Sequence, residues 1–205
     1  MSRNLSPDDV QAIKTLISEQ RLSTFRALAA NDADAIELHQ ATMGLGGALM
    51  AVMSTVEIAL RNAVCDRLTT DLGTADWLHI PPAPFNWSQI ERNNIDQAIK
   101  KAKRAEYAKL SNAQKTALDG TAFPNGPPAG IGHSTLARRR QDVLAVSDGQ
   151  VVAQLTFFFW KRLFSEQYER TLWKRSLKRV FPNKTLDRPD VAAQMEQLYQ
   201  ARNRL

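Results

Sequence analysis

One helical pattern dominates this chain and limits what it can become. From Asp34 to about Leu72, apolar side chains at Ile36, Met43, Leu49, Met50, Val52, Met53, Val56, Leu60, Val64 and Leu68 recur at helical spacing. Strands rarely exceed about 10 residues, so so long a stretch can only be a helix. The apolar positions are too dense for an exposed one, which predicts a central helix buried on much of its surface. Gly44, Gly46 and Gly47 weaken it locally and would mark a kink or a close crossing. Gly73 supplies a stop. The longest apolar run inside it, Met43 to Val56, is closed by Glu57. It is shorter than the ~20 residues a membrane span needs, so a soluble, cytoplasmic protein with no membrane partner is expected.

The flanking sequence is helical too. Ser6-Pro7-Asp8-Asp9 reads as a cap, a first-turn Pro and acids suited to the positive helix end, followed by Val10, Ile13, Leu16 and Ile17 on one face. A second short helix is expected over Ser23–Leu28, and Asn31-Asp32 marks a turn. "HIPPAPFNW" interrupts regular structure before a polar helix from Gln89 to Lys109. A long irregular loop is expected over about 111–150, centred on the Gly- and Pro-rich "DGTAFPNGPPAGIGHS". Beyond Val151 the aromatic stretch "VVAQLTFFFWKRLF" leads to Leu172, Trp173, Ser176, Leu177, Val180 and Phe181 on one helical face, with Lys174, Arg175, Lys178 and Arg179 opposite. A last helix starts near Arg188-Pro189-Asp190 and carries Met195, Leu198 and Tyr199 towards the end. Nothing alternates with period two and no repeat is present, so the fold class is all-α, in a single domain over 1–205.

Composition excludes several functions. The lone Cys65 cannot form an internal disulfide and sits on an apolar helical pattern, which fits a small core residue in a reducing compartment. His39, His79 and His133 are scattered, with no second histidine at ligand spacing, so no metal site is expected. No Gly-rich phosphate loop is present, and no cofactor is expected. The opening MSRNLSPDD has no apolar core and is no signal peptide. The net charge is +6 and unevenly spread: residues 1–60 carry 4 basic and 7 acidic side chains, residues 151–205 carry 11 and 5. Basic clusters stand at Lys100, Lys101, Lys103 and Arg104, at Arg138, Arg139 and Arg140, and at Lys174, Arg175, Lys178 and Arg179. Such asymmetry suits a polyanionic partner, the alternative being an ordinary solvated surface.

Polar residues interrupt the apolar helix at Ser54, Glu57 and Arg61, which share one face, with Asn62 adjacent. Either Glu57 and Arg61 form an ion pair one turn apart, or they face a cleft. Arg202-Asn203-Arg204 is a second polar cluster, after the apolar face of the last helix.

Four stretches together resemble Abi-like proteins of the AbiD/AbiF type: "ISEQRLSTFRALAANDADAIELHQ", "VEIALRNAV", "VVAQLTFFFWKRLFSEQYERTLWKRSLKRVFPN" and "LYQARNRL". Their order and spacing cover about Ile17 to Leu205. Phe158 stands where that family usually has Gly, and Phe25 where it usually has Tyr. These proteins are similar to the HEPN superfamily, which implies an all-α bundle that forms homodimers and, in many members, a metal-independent ribonuclease. The signature there is Arg, a polar residue, four to six further residues and His. Arg202 and Asn203 match its first two positions, and Glu57, Arg61 and Asn62 match positions near that motif. The resemblance implies that Arg202 holds a phosphate and its developing charge. The run is expected to be cut at 205, before the histidine. Loss of that histidine would remove at least the ~10²–10⁴-fold of general acid–base catalysis and leave the chain inactive. Two functions follow as expectations. One is an abortive-infection toxin for phage defence, restrained by a structured non-coding RNA antitoxin bound at the basic clusters. The other is a non-catalytic RNA-binding and dimerisation module.

Overall fold

The computed structural model describes residues 5–183 and 185–204, so the readings placed on Met1–Asn4 and Leu205 fall outside it. Among the described residues all regular structure is helical, as the sequence predicts. The helices are α1 (Pro7–Ile17), α2 (Glu19–Arg26), α3 (Asp32–Leu72), α4 (Gln89–Lys109), α5 (Asn112–Ala117), α6 (Asp119–Ala122), α7 (His133–Asp142), α8 (Asp148–Gln154), α9 (Phe157–Arg162) and α10 (Arg188–Arg204). Two compact units divide the chain: Met1–Ile58 with Gln200–Leu205, and Ala59–Tyr199.

In the smaller unit, α1 opens on a reciprocal cap. Ser6 Oγ accepts from the Asp9 N–H at 3.2 Å and the Asp9 carboxylate accepts from the Ser6 N–H at 3.1 Å, with Pro7 at the first helical position. Asn31 Oδ1 caps α3 by accepting from the Asp34 N–H at 2.9 Å. Leu22, Ala35 and Ile36 are fully buried, with Val10, Ile13 and Phe25 packed on them. Lys14 and Arg26 both hold Asp32, at 2.8 and 2.6 Å.

The part of α3 in this unit departs from expectation. Between Asp32 and Ile58 only Ala35, Ile36 and Glu57 are buried. Met43 is 66% exposed, Val52 62% and Ile58 54%. Apolar density was the basis for predicting burial, but density says what a helix can bury and not what covers it. Gly44 and Gly47 mark no close crossing either, because nothing lies within 4 Å of a Cβ placed on them. The helix passes them without a break. The sequence argument against a membrane span rested on the short run Met43–Val56, yet α3 is long enough, and over one 18-residue window of mean hydropathy 1.6 apolar enough, to cross a membrane by length and composition.

The larger unit holds the main core. Leu60, Val64 and Leu68 of α3 are buried there, with Trp77, Leu78, Phe85, Trp87, Phe159, Trp160, Leu163, Tyr168, Leu172 and Leu177. Trp87 packs edge-on to Phe85 at 4.5 Å and donates its Nε1–H to the Leu78 carbonyl at 2.8 Å, so its one polar atom is satisfied inside. α4 spans the predicted residues and packs against α7 and α8. Residues 111–150, expected as an irregular loop, instead carry α5, α6 and α7. Ser111 caps α5 with a Ser-x-x-Gln box, and the Arg140–Asp119 pair ties α7 to α6. The irregular part shrinks to the stretch around Gly126 and Gly130, both at positive φ. Residues 166–180 show the reverse. Leu172, Trp173, Ser176 and Leu177 are buried and Lys174, Arg175, Lys178 and Arg179 exposed, as the spacing predicts. The backbone is not one helix, however, but a π turn at Glu169–Trp173 and a 3-10 turn at Leu177–Val180, broken by Ser176 at φ −139°.

Candidate functional site

Within the smaller unit the structure joins two of the predicted catalytic residues. Glu57 of α3 is 8% exposed, and Arg202 of α10 places Nη2 3.4 Å from its Oε2. A buried carboxylate needs a cation, and Arg202 supplies one. The Arg202 side chain stays 35% exposed. Its Nε is buried without a hydrogen-bond partner among the described residues. Asn203 and Arg204 are exposed. Arg61 and Asn62 belong to the larger unit. The Arg61 guanidinium lies 5.9 Å above the Trp160 ring, a cation–π contact. Asn62 is exposed and lines a cleft of about 430 Å³ with Cys65, Asp66, Thr69 and Asp148. Burial, with Asp66 nearby, pushes the Cys65 thiol up to about 11, against the partial lowering by Arg61, so it is a poor nucleophile.

The basic residues divide into two sets. Four are already engaged. Arg140 makes two bonds to Asp119 at 2.6 and 2.7 Å, Lys103 Nζ donates to the Asp142 carbonyl at 2.6 Å, Arg179 pairs with Asp71 at 2.8 Å, and Lys174 stands 3.7 Å from Glu169. Lys100, Lys101, Arg104, Arg138, Arg139, Arg175 and Lys178 are exposed, and no acidic partner meets them among the described residues. The first five stand on α4 and α7, which pack together.

Two clusters escaped the sequence reading. Asp76 and His79, at the turn Ala75–Leu78, meet Asp148 at the start of α8, and one donor atom from each lies within 4.8 Å of the others. His79 Nε2 is 3.0 Å from Asp148 Oδ1. These are the described residues best placed to hold a metal ion. The expectation of no metal site counted histidines and left out carboxylates. The second cluster surrounds Glu91, fully buried on α4. Tyr168 donates its hydroxyl to Glu91 Oε2 at 2.6 Å, and Arg162 and Ser88 donate to the same carboxylate. Burial pushes the Glu91 carboxyl up, but those three hydrogen bonds outweigh it and hold the group below its usual range. Burial, with the Glu91 bond, raises the Tyr168 phenol to about 12. Glu91 is ionised and fully buried among its three donors, so its work is structural.

Compared with protein-family models, curated proteins and solved structures, the chain matches none.

Proposed function

We propose that this chain is an RNA-binding protein of the Abi-like, HEPN-like kind, working in the cytoplasm in abortive infection and bound there by a structured RNA. The observation that carries the reading is the set of unengaged cations on the packed helices α4 and α7, with Arg175 and Lys178 also exposed. Phosphate contacts made by such side chains dominate RNA affinity and carry little sequence information. Arg202 has the properties of a phosphate ligand, oriented by Glu57 while its side chain stays partly exposed. In the ribonuclease form of the reading, Arg202 steadies charge on the cleaved phosphate. In the second form the chain binds RNA and dimerises without cleaving it.

A second copy of the chain suits the exposed apolar side of α3, where Met43, Leu45, Val52 and Ile58 stand in solvent. Exposed apolar surface on this scale is unusual on a soluble monomer. The test of the RNA reading is binding of a structured RNA by the wild type and by the double variant Lys101→Glu, Arg104→Glu at one fixed salt concentration. A loss of at least about tenfold, equal across unrelated RNA sequences, is expected for contacts to phosphate. Unchanged binding would remove α4 from the interface.

A further inference from the structure

We infer that Asp76, His79 and Asp148 form a binding site for a divalent transition metal of the zinc class, with one imidazole and two carboxylates as ligands. The three donor atoms already lie within 4.8 Å of one another, and the closest pair, His79 Nε2 and Asp148 Oδ1, stand 3.0 Å apart. Zinc bonds nitrogen and oxygen at about 2.0–2.2 Å, so ligands at two corners of a tetrahedron sit roughly 3.3–3.5 Å apart. Closing the site therefore takes side-chain rotation of about 1.5 Å at most.

The backbone holds the donors in place. Asp76 lies inside the turn Ala75–Leu78 and His79 caps its end, its N–H donating to the Asp76 carbonyl at 3.2 Å, which ties the two residues together. The two residues between them, Trp77 and Leu78, are anchored in the core at 2% and 1% exposure. Trp77 Nε1–H donates to Thr69 Oγ1 at 3.1 Å, and the Leu78 carbonyl accepts from Trp87. Asp148 is fixed in turn by the Ser147–Gln150 cap of α8.

Charge argues for a cation and against a simple His–Asp pair. No Lys or Arg meets Asp76 or Asp148 among the described residues. Two carboxylates beside one imidazole leave a deficit of positive charge even when His79 is protonated, and a divalent ion would remove it. Three protein ligands leave at least one tetrahedral position free, the pattern of zinc sites that bind water or substrate. Asp148 also lines the 430 Å³ cleft, which gives that position room. The ligands suit zinc or manganese over magnesium, which has little use for imidazole. This site is independent of the RNA reading and shares no residue with the Glu57–Arg202 pair.

The test uses the whole chain, stripped with a chelator and titrated with Zn²⁺ in a calorimeter, and with Co²⁺ followed by visible absorption. One saturable equivalent is expected. His79→Ala and Asp148→Asn should each weaken it by at least about tenfold, the loss seen even for groups that only support a metal ligand. Cys65→Ser and His133→Ala should leave it unchanged, and the Co²⁺ spectrum should lack thiolate charge transfer. Circular dichroism checks each fold, and Asp148→Asn decides the matter should His79→Ala unfold. No saturable binding, or binding by a folded His79 or Asp148 variant equal to the wild type, would overturn the site.

Discussion

Replacing Glu91 with Gln tests the account of the core. The side chain keeps its volume, but the charge is lost and one oxygen becomes an NH₂ that faces donors: Arg162 at the Oε1 position, or Tyr168 and Ser88 at the Oε2 position. Removing one partner of a buried ion pair costs about 3–5 kcal/mol, chiefly because the other charge is left unpaired. Arg162 retains 23% exposure and can recover some hydration, which favours the lower end, about 3 kcal/mol. For a chain of this size 1 kcal/mol corresponds to about 2–4 °C in Tm, so a fall of about 6–12 °C is expected. Calorimetry and urea unfolding at pH 7 read it directly. The pH dependence adds a second check. The folded Glu91 carboxyl lies below its usual range, so its contribution is complete above the unfolded value near 4.3 and disappears as pH falls through the folded value. The gap between wild type and variant should therefore close in acid. A loss under about 1 kcal/mol, or a gap equally wide at low pH, would refute the claim that Glu91 is an ionised, structural group.

Four further substitutions have expected signs. Asp71, held to about 2 first by the Arg67 hydrogen bond and also by Arg179, against the cost of burial, should lose about 1–2 kcal/mol as Asp71→Asn. That contribution should be complete above about pH 4 and gone as pH falls through about 2, in urea titrations across that range. Ser18 joins α1 to α2 at φ 74° and ψ 143°, a conformation that suits glycine; Ser18→Gly should raise thermal stability by up to about 1 kcal/mol, and a destabilised variant would contradict that geometry. Gly44→Ala and Gly47→Ala add a Cβ into open space inside a helix and should each stabilise by about 0.5–1 kcal/mol in thermal melts. A loss at either position would mean that another surface closes on α3.

The sequence was most legible where local chemistry decides structure. The Ser6-Pro7-x-Asp9 start of α1, the span of α4 and the Arg188-Pro189-Asp190 start of α10 are all set by caps, prolines and periodicity within a few residues. What failed depends on distance in the chain. Asp148 meets His79 across 69 positions, and Glu91 meets Arg162 and Tyr168 across 71 and 77. No spacing rule links such residues. The polar character of α4 also disguised Glu91, since a buried carboxylate there looks like its exposed neighbours until its partners are known. On α3, ten apolar positions marked a helix correctly but did not say which were covered. Leu60, Val64 and Leu68 are buried while Met43 and Val52 are open. Among the candidate site residues, the structure places Arg202 Nη2 3.4 Å from Glu57 Oε2 and the Arg61 guanidinium over the Trp160 ring.

The most direct measurement of the central claim is to express the chain with its native flanking DNA, purify it at low salt, and sequence any nucleic acid that stays bound. A discrete, structured RNA is expected, one that elutes as salt rises and is lost from the Lys101→Glu, Arg104→Glu variant. Protein that emerges free of RNA, or carries only a random mixture that the variant retains equally, would contradict it and return the basic surface of α4 and α7 to plain solvation.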